Sequence, residues 1–455
     1  MPPAQRYAHV VPAMKPTIDD TNLEGVFSDL VEMFLPDRPF AQRCVYRFAR
    51  LVLRRLYTDE ETDELRGISA ATGLPMFLLV AFNVLLDLLL GCTSGGVRYQ
   101  ESGTDKESRM VHFRTLDWDM DPLRMLIVEL DFIRAPGGPV VATTIGYFGY
   151  VGVLTGVRQG LSMSLNFRPT HDRSSWWKRA AFRWHQAMVV LGRRPSISSN
   201  LRHWLLCTDK PGKEPLLRRR QRKPSSSPPS LLHDDDKTQA ANDTDELDKR
   251  SGDMTDFLLN ELFTSNSTAA YIILCTPQLA YSVEKDHRSA SIRTHLRLLT
   301  TCNHDLSDEA DPAQIHEAAK HVTDSGMQAL VEDSLSRKTK VSKIWKRRLQ
   351  QRRTKQYQQL RHRQTTATSQ KIAGGELAQQ PPPPPQQPQD QNQDDDEKDP
   401  DVADEEHEIQ GVALHDVLRM LGDRDISNDQ THYAVVMDPR TGGVLWRRVY
   451  QLGEL

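Results

Sequence analysis

Cysteine is scarce in this chain of 455 residues: there are 5, an odd number. So low a count does not support a disulfide framework. The sequence leaves two pairings open, Cys44 with Cys302 or Cys207 with Cys275. At least one thiol is left over, and Cys92 is the candidate. Long apolar runs are missing too. The strongest, 76–90, is interrupted by Asn83 and Asp87. It falls short of the roughly twenty residues that span a bilayer, so it reads as a buried helix. The start, from Met1 to Asp20, lacks the basic-apolar-small pattern of a secretory leader. The formal net charge is only −3, which argues against a nucleic-acid binder by overall charge. No His/Cys cluster has metal-ligand spacing, so neither a metal nor a cofactor is expected. Hydrophobic residues make up 38% and the mean hydropathy is −0.56, low for a compact enzyme. Polar inserts lower both values, and the remaining core is closer to ordinary.

What is present changes texture along the chain. Over 22–90 apolar residues recur at helical spacing: Leu23, Val26, Phe27, Leu30 and Val31, then Phe40, Cys44, Phe48 and Leu51. Thr58-Asp59-Glu60-Glu61 reads as a helix start with an acidic first turn. Gly73-Leu74-Pro75 ends that helix and begins the next. After Cys92 the pattern favours strands: 109–114, 126–133, 140–145, 151–154 and 161–166, with a turn at Pro136-Gly137-Gly138. Helices follow over 174–191 and 197–206. Strands return over 269–274, 279–284 and 291–301. A helix at 413–421 precedes a hairpin, 433–437 with 445–449. Residues 209–253 run from basic through Pro/Ser-rich to acidic with no apolar face, so disorder is expected there. A second insert, 341–408, opens basic and helix-prone over 343–363. It then passes through Pro381 to Pro385 and ends acidic at Asp394-Asp395-Asp396-Glu397. Composition and pattern support an α+β class and no finer assignment.

Five motifs follow one another in a set order. Leu90-Gly91-Cys92-Thr93-Ser94 comes first, then Phe113-Arg114-Thr115-Leu116-Asp117. An aromatic-glycine run follows, Gly146-Tyr147-Phe148-Gly149-Tyr150-Val151-Gly152, and then Ser164-Leu165-Asn166. Thr301-Cys302-Asn303-His304-Asp305 closes the set. This order resembles the acid ceramidase and N-acylethanolamine acid amidase family, a group of N-terminal-nucleophile amidases. The resemblance covers 20–206, 256–340 and 411–450. It implies an αββα sandwich preceded by a helical segment, and self-cleavage immediately before Cys92. The implied parts are 1–91, a helical fragment that stays bound to the rest; 92–208, 254–340 and 409–455, three pieces of the catalytic domain; and the inserts 209–253 and 341–408.

Amide hydrolysis needs a nucleophile, a base, an acid for the leaving amine and an oxyanion site. A cysteine carrying a free α-amine supplies the first three, because an amine with a pKa near 8 can take the thiol proton and return it to the leaving nitrogen. Gly91, without Cβ, allows close approach at the cut. By the resemblance, Cys92 is the nucleophile. Arg114 and Asp117 hold it, with the guanidinium toward thiol and substrate and the carboxylate toward the α-amine. The amide of Asn303 helps to bind the oxyanion. Arg337 matches a further family arginine and reads equally as a solvated helix residue. Trp118, Phe148 and Tyr150 would line an acyl channel or serve as core aromatics, and Asn166, at the end of the strand after the glycine run, is a further substrate-binding candidate. Phe167 stands where the mammalian pattern has a glutamate, which leaves that residue's role in doubt here.

The implied reaction is hydrolysis of an N-acyl lipid, ceramide-like, through a thioester. N-Acylethanolamines and non-lipid amides remain alternatives. A different class is a non-enzymatic protein whose basic segment, 343–363, binds nucleic acid or acts as a scaffold. The acidic run that follows argues against nucleic acid, and an anionic membrane surface suits the same segment. A pseudoenzyme is a third reading, opposed by the intact Cys92, Arg114, Asp117 and Asn303. Family members are lysosomal, vacuolar or secretory. The missing leader then implies either a truncated start or an intracellular enzyme.

Overall fold

The computed structural model describes residues 1–85, 91–101, 108–118, 120–207, 255–307, 325–372 and 411–454. The N-terminal part is helical: α1 (Val11–Thr21), α2 (Leu23–Phe34), α3 (Pro39–Val52), α4 (Asp59–Thr72) and α5 (Met76–Leu85). The start of α4 is set by Thr58, whose hydroxyl accepts the Glu61 N–H at 3.1 Å, leaving three acidic residues in the first turn. Gly73, at φ 83°, ends it. The apolar run 76–90 forms α5 up to Leu85, and 86–90 lie outside the described residues.

Among the described residues twelve strands make two sheets, and every ladder in them is antiparallel. The first contains β1 (Gly91–Tyr99), β2 (Arg109–Asp117), β10 (Leu298–Thr301), β11 (Thr431–Asp438) and β12 (Gly443–Val449), in the order β10-β1-β2-β11-β12. The second runs β3-β4-β5-β6-β7-β8-β9. Its strands are β3 (Ile127–Ile133), β4 (Val140–Tyr147), β5 (Thr155–Arg158), β6 (Leu161–Phe167), β7 (Ala270–Cys275), β8 (Ala280–Lys285) and β9 (Ala290–His295). The two sheets pack face to face, β1 and β2 against β6 and β7. His112 on β2 pins them together, one ring nitrogen 3.1 Å from Ser162 Oγ and the other 2.9 Å from Ser164 Oγ.

Helices cover both outer faces. Between β6 and β7 lie α6 (Trp176–Val190), α7 (Ile197–Leu206) and α8 over 255–264, and α7 packs on β4, β5 and β6. The long α9 (Ser325–Ile372) and α10 (Leu414–Leu421) cover the five-stranded sheet, where Val341 joins Val97, Val111, Phe113 and Val436 in one apolar cluster. The layers are therefore α, β, β, α. Helices α1 to α5 share the main core with the sandwich: Val11, Phe27, Leu65 and Leu79 belong to the same cluster as Leu116, Tyr147 and Leu165. Among the described residues no helix is long and apolar enough to cross a membrane.

Four sequence expectations differ from the structure. No strand forms over 151–154. That loop is held instead by Val153 N–H on Ser198 O at 3.1 Å and by Leu165 N–H on Leu154 O at 2.9 Å. The segment 291–301 is two strands in different sheets, not one. His295 Nδ1 takes the N–H groups of Arg297 and Leu298, both at 3.0 Å, which bends the chain between β9 and β10. Helix α9 runs through the boundary drawn at 340/341, because Val341, Ile344 and Trp345 continue its buried stripe. All five cysteines are free: Cys44 is exposed while Cys275 and Cys302 are buried, so neither pairing forms. The insert 209–253 and the Pro-rich and acidic parts of 341–408 lie outside the described residues.

Candidate active site

Cys92 is the second residue of β1 and is fully buried. The ladder places Gly91 opposite Asp117, Cys92 opposite Leu116 and Ser94 opposite Arg114. Side chains alternate between faces along a strand. Arg114 and Asp117, three apart, therefore leave β2 on opposite sides. Arg114 points between the sheets. Its Nη2 lies 3.2 Å from Cys92 Sγ and 2.7 Å from Leu165 O, and its Nη1 donates to Thr155 Oγ1 at 2.7 Å and to Leu154 O. Its Nε is buried with no hydrogen-bond partner among the described residues. Asp117 faces α9. There Arg337 Nη1 reaches Asp117 Oδ2 at 3.1 Å and Thr93 Oγ1 at 2.7 Å, while Thr431 donates to Asp117 Oδ1 at 2.7 Å.

Asn303 follows β10 and closes the third side. Its Oδ1 accepts the Cys92 backbone N–H at 2.8 Å, and its Nδ2 donates to Phe167 O at 2.7 Å. This network fixes which end is oxygen, since the reverse would set donor on donor and acceptor on acceptor. Asn303 thus meets Cys92 through its oxygen. The oxyanion role suggested by resemblance requires its amide to exchange Phe167 O for the reacting oxygen. Ser334 on α9 holds the loop by accepting the Asn303 N–H at 2.5 Å.

Burial pushes the Cys92 thiol above its ordinary range, and the nearby Arg114 opposes the rise. Burial also raises the Asp117 carboxyl, opposed by Arg337 and Thr431. Two cations and one carboxylate thus surround a thiol with no contact to solvent.

The structure brings Cys92, Arg114, Asp117, Asn303 and Arg337 together. Arg337, 1% exposed, is no solvated helix residue. Asn166 instead joins strands: Ser94 Oγ donates to its Oδ1 at 2.8 Å, and its Nδ2 donates to Thr301 O at 3.1 Å. Trp118 sits edge-on to Tyr147 at 6.0 Å and lines an apolar crevice of about 40 Å³ with Phe27, Leu30, Phe82 and Met120. Phe148 packs edge-on against Tyr7 at 6.3 Å, and Tyr150 against Phe82 at 6.3 Å; both are buried core aromatics. Thr155, Ser334 and Thr431 escape the sequence reading, and Thr93 enters it only as part of the Cys92 motif, without a role. Lone hydroxyl residues carry no pattern, and Thr431 meets Asp117 across 314 positions. Among the described residues, no group of three or more His, Cys, Asp or Glu side chains could hold a metal ion.

No family model matches the chain. Individual proteins do. The N-acylethanolamine-hydrolyzing acid amidase of Caenorhabditis elegans is 32% identical over 180 residues, 37% of this chain and 45% of that protein. The acid ceramidase of Mus musculus is 27% identical over 183 residues, 37% and 43% of the two chains. That of Homo sapiens is 32% identical over 121 residues, 23% and 29%. The matched segments span less than half the length of these relatives. A solved structure of the C. elegans N-acylethanolamine-hydrolyzing acid amidase ortholog covers 79% of this chain and 100% of its own, at 15% identity and a TM-score of 0.39. At that score the likeness adds nothing to the fold described above.

Proposed function

We propose that the chain, similar over part of its length to N-acylethanolamine-hydrolyzing acid amidase and acid ceramidases, is a member of their family and a self-processing cysteine amidohydrolase acting on the amide bond of a ceramide-like N-acyl lipid. One observation carries the reading: Arg114 Nη2 lies 3.2 Å from Cys92 Sγ, while Asn303 Oδ1 accepts the backbone N–H of the same residue. The thiol and the future amine of a single cysteine are both held.

Maturation starts from the thiol. Cys92 Sγ adds to the Gly91 carbonyl carbon, the Gly91–Cys92 C–N bond breaks, and the nitrogen leaves as the Cys92 amine. Water then cleaves the Gly91 thioester, giving a Gly91 carboxylate and a free thiol. The new amine stays on Asn303 Oδ1. In turnover it takes the thiol proton as sulfur attacks the lipid carbonyl, and it gives that proton to the departing amine. Water releases the fatty acid from the acyl-enzyme. Arg114 favours the thiolate against the burial that disfavours it. Asp117, tethered by Arg337 and Thr431, sits opposite Gly91 in the ladder and orients the ammonium form. The apolar crevice beside Trp118, at about 40 Å³, would have to widen to take an acyl chain, and the helical fragment stays bound through the shared core.

The test is intact mass of purified protein, wild type beside Cys92→Ala, held at acid and neutral pH. We expect two fragments that split at Gly91/Cys92 in wild type only. The cut enzyme is then given ceramide, an N-acylethanolamine and a short non-lipid amide. Release of fatty acid from ceramide supports the lipid assignment, and preference for either other substrate replaces it. A chain that stays whole at every pH removes the α-amine and the mechanism with it.

A further inference from the structure

Helix α9 has two unlike faces. Val341, Ile344, Trp345 and Leu349 form its buried stripe, at the spacing of one helix side. Lys343, Lys346, Arg347 and Arg353 stand exposed away from that stripe. Their neighbours on the flank are neutralised by the body of the protein: Lys340 Nζ lies 2.7 Å from Asp425, and Arg348 Nε 3.9 Å from Asp416. Among the described residues no carboxylate pairs with the four outer cations. The sequence deepens the asymmetry. Residues 338–372 hold twelve Lys and Arg and no Asp or Glu. A stripe of that charge attracts a polyanion.

The same chain supplies one. Residues 394–408 contain ten Asp and Glu against a single Lys398. The chain beyond them returns to this helix: Arg352 donates to Gly411 O, and Val412 bridges Tyr99. Residue 408 is thus three positions from a point fixed on α9. An extended chain covers about 3.4 Å per residue, so the tract reaches tens of ångströms from that anchor. Lys343 lies only about 14 Å from Arg352 along the axis, at a helical rise of 1.5 Å per residue. Reach, anchor and opposite charge coincide.

We propose that the acidic tract 394–408 docks on the outer stripe of α9, against Lys343, Lys346, Arg347 and Arg353, and keeps other polyanions off that face. Each exposed ion pair is weak and screened by salt. The tether supplies a high effective concentration, so the pairs act by number. The proposal is independent of the amidase reading.

The experiment uses the full chain and carbodiimide coupling, which joins lysine amines to carboxylates without a spacer, read by mass spectrometry. At low salt, about 20 mM, links from Lys343 and Lys346 to 394–408 within one chain are expected, falling at least fivefold at about 500 mM. In parallel, sedimentation with phosphatidylserine vesicles compares wild type with a variant whose ten tract carboxylates are converted to amides. The variant should bind at least tenfold tighter, and adding Lys343→Glu, Lys346→Glu, Arg347→Glu and Arg353→Glu should remove the gain. Absence of the low-salt links, links found only between isotopically distinct chains, or equal vesicle binding with and without the carboxylates overturns the proposal.

Discussion

At the scale of single residues, the site is held by hydrogen bonds that leave little slack. Arg337 shows what each is worth. It spans Thr93, Asp117 and Asn303 from a helix otherwise rich in exposed cations. Arg337→Met leaves Asp117 buried with its hydroxyl partners and no guanidinium. Breaking one side of a buried pair costs about 3–5 kcal/mol. Urea unfolding should therefore show a loss of that size, and a loss under about 1 kcal/mol would mean that solvent reaches Asp117. Cys92, Arg114 and Asp117 are legible in the sequence through two short motifs that resemble those of a known family, and the structure sets these motifs on one antiparallel pair. Arg337 is ambiguous there, since basic residues follow it and its partners lie 220 and 244 positions away. Thr431 is invisible for the same reason: β11 joins β2 only in the folded sheet.

At the scale of elements, the adjacent Gly95 and Gly96 set the close approach around β1. A Cβ on Gly96 would come within 2.4 Å of Ala280 Cβ and 3.0 Å of Cys275 Sγ and Met110 Sδ, atoms of the facing strands and of β2. A Cβ on Gly146, in the aromatic-glycine run, would meet nothing within 4 Å. Gly96→Ala should cost about 1–3 kcal/mol by overpacking and, if the proposed cut at Gly91 occurs, lower the fraction cut. Gly146→Ala should be near neutral in both respects. Equal effects in thermal melts and fragment gels would show that the sheets do not pack as described. Such distinctions are closed to the sequence, where both glycines read alike. The split of β9 from β10 is closed to it as well, because the alternation continues across the bend and only the His295 ring, turned onto two backbone N–H groups, marks where the chain changes sheets.

At the scale of the whole molecule, stability is tied to three buried neutral histidines. Burial, aided by Arg114, lowers His112 to about 3. Burial, aided by Arg124, lowers His432 to about 3. Burial, with His287 and Arg194 adding to it, lowers His185 to about 4. Each lies in a buried polar contact: His112 between two serines, His432 beside Tyr147 OH at 2.7 Å, and His185 accepting from Arg194 at 2.9 Å, the last of which needs a ring lone pair. An unfolded chain takes up protons on histidine near pH 6.5, which the folded rings refuse. The stabilisation is therefore complete above that pH and is lost as pH falls from about 6.5 toward 4 for His185 and toward 3 for His112 and His432, by at most about 1.4 kcal/mol per pH unit for each group. Calorimetry at pH 7, 6 and 5 should show Tm falling steadily. His112→Asn, which keeps a polar side chain between Ser162 and Ser164 but cannot titrate, should flatten the decline while lowering Tm at pH 7. A Tm that holds or rises on acidification would mean that these rings accept protons in the folded state. The sandwich would then have to admit water between its sheets, contrary to the full burial of His112.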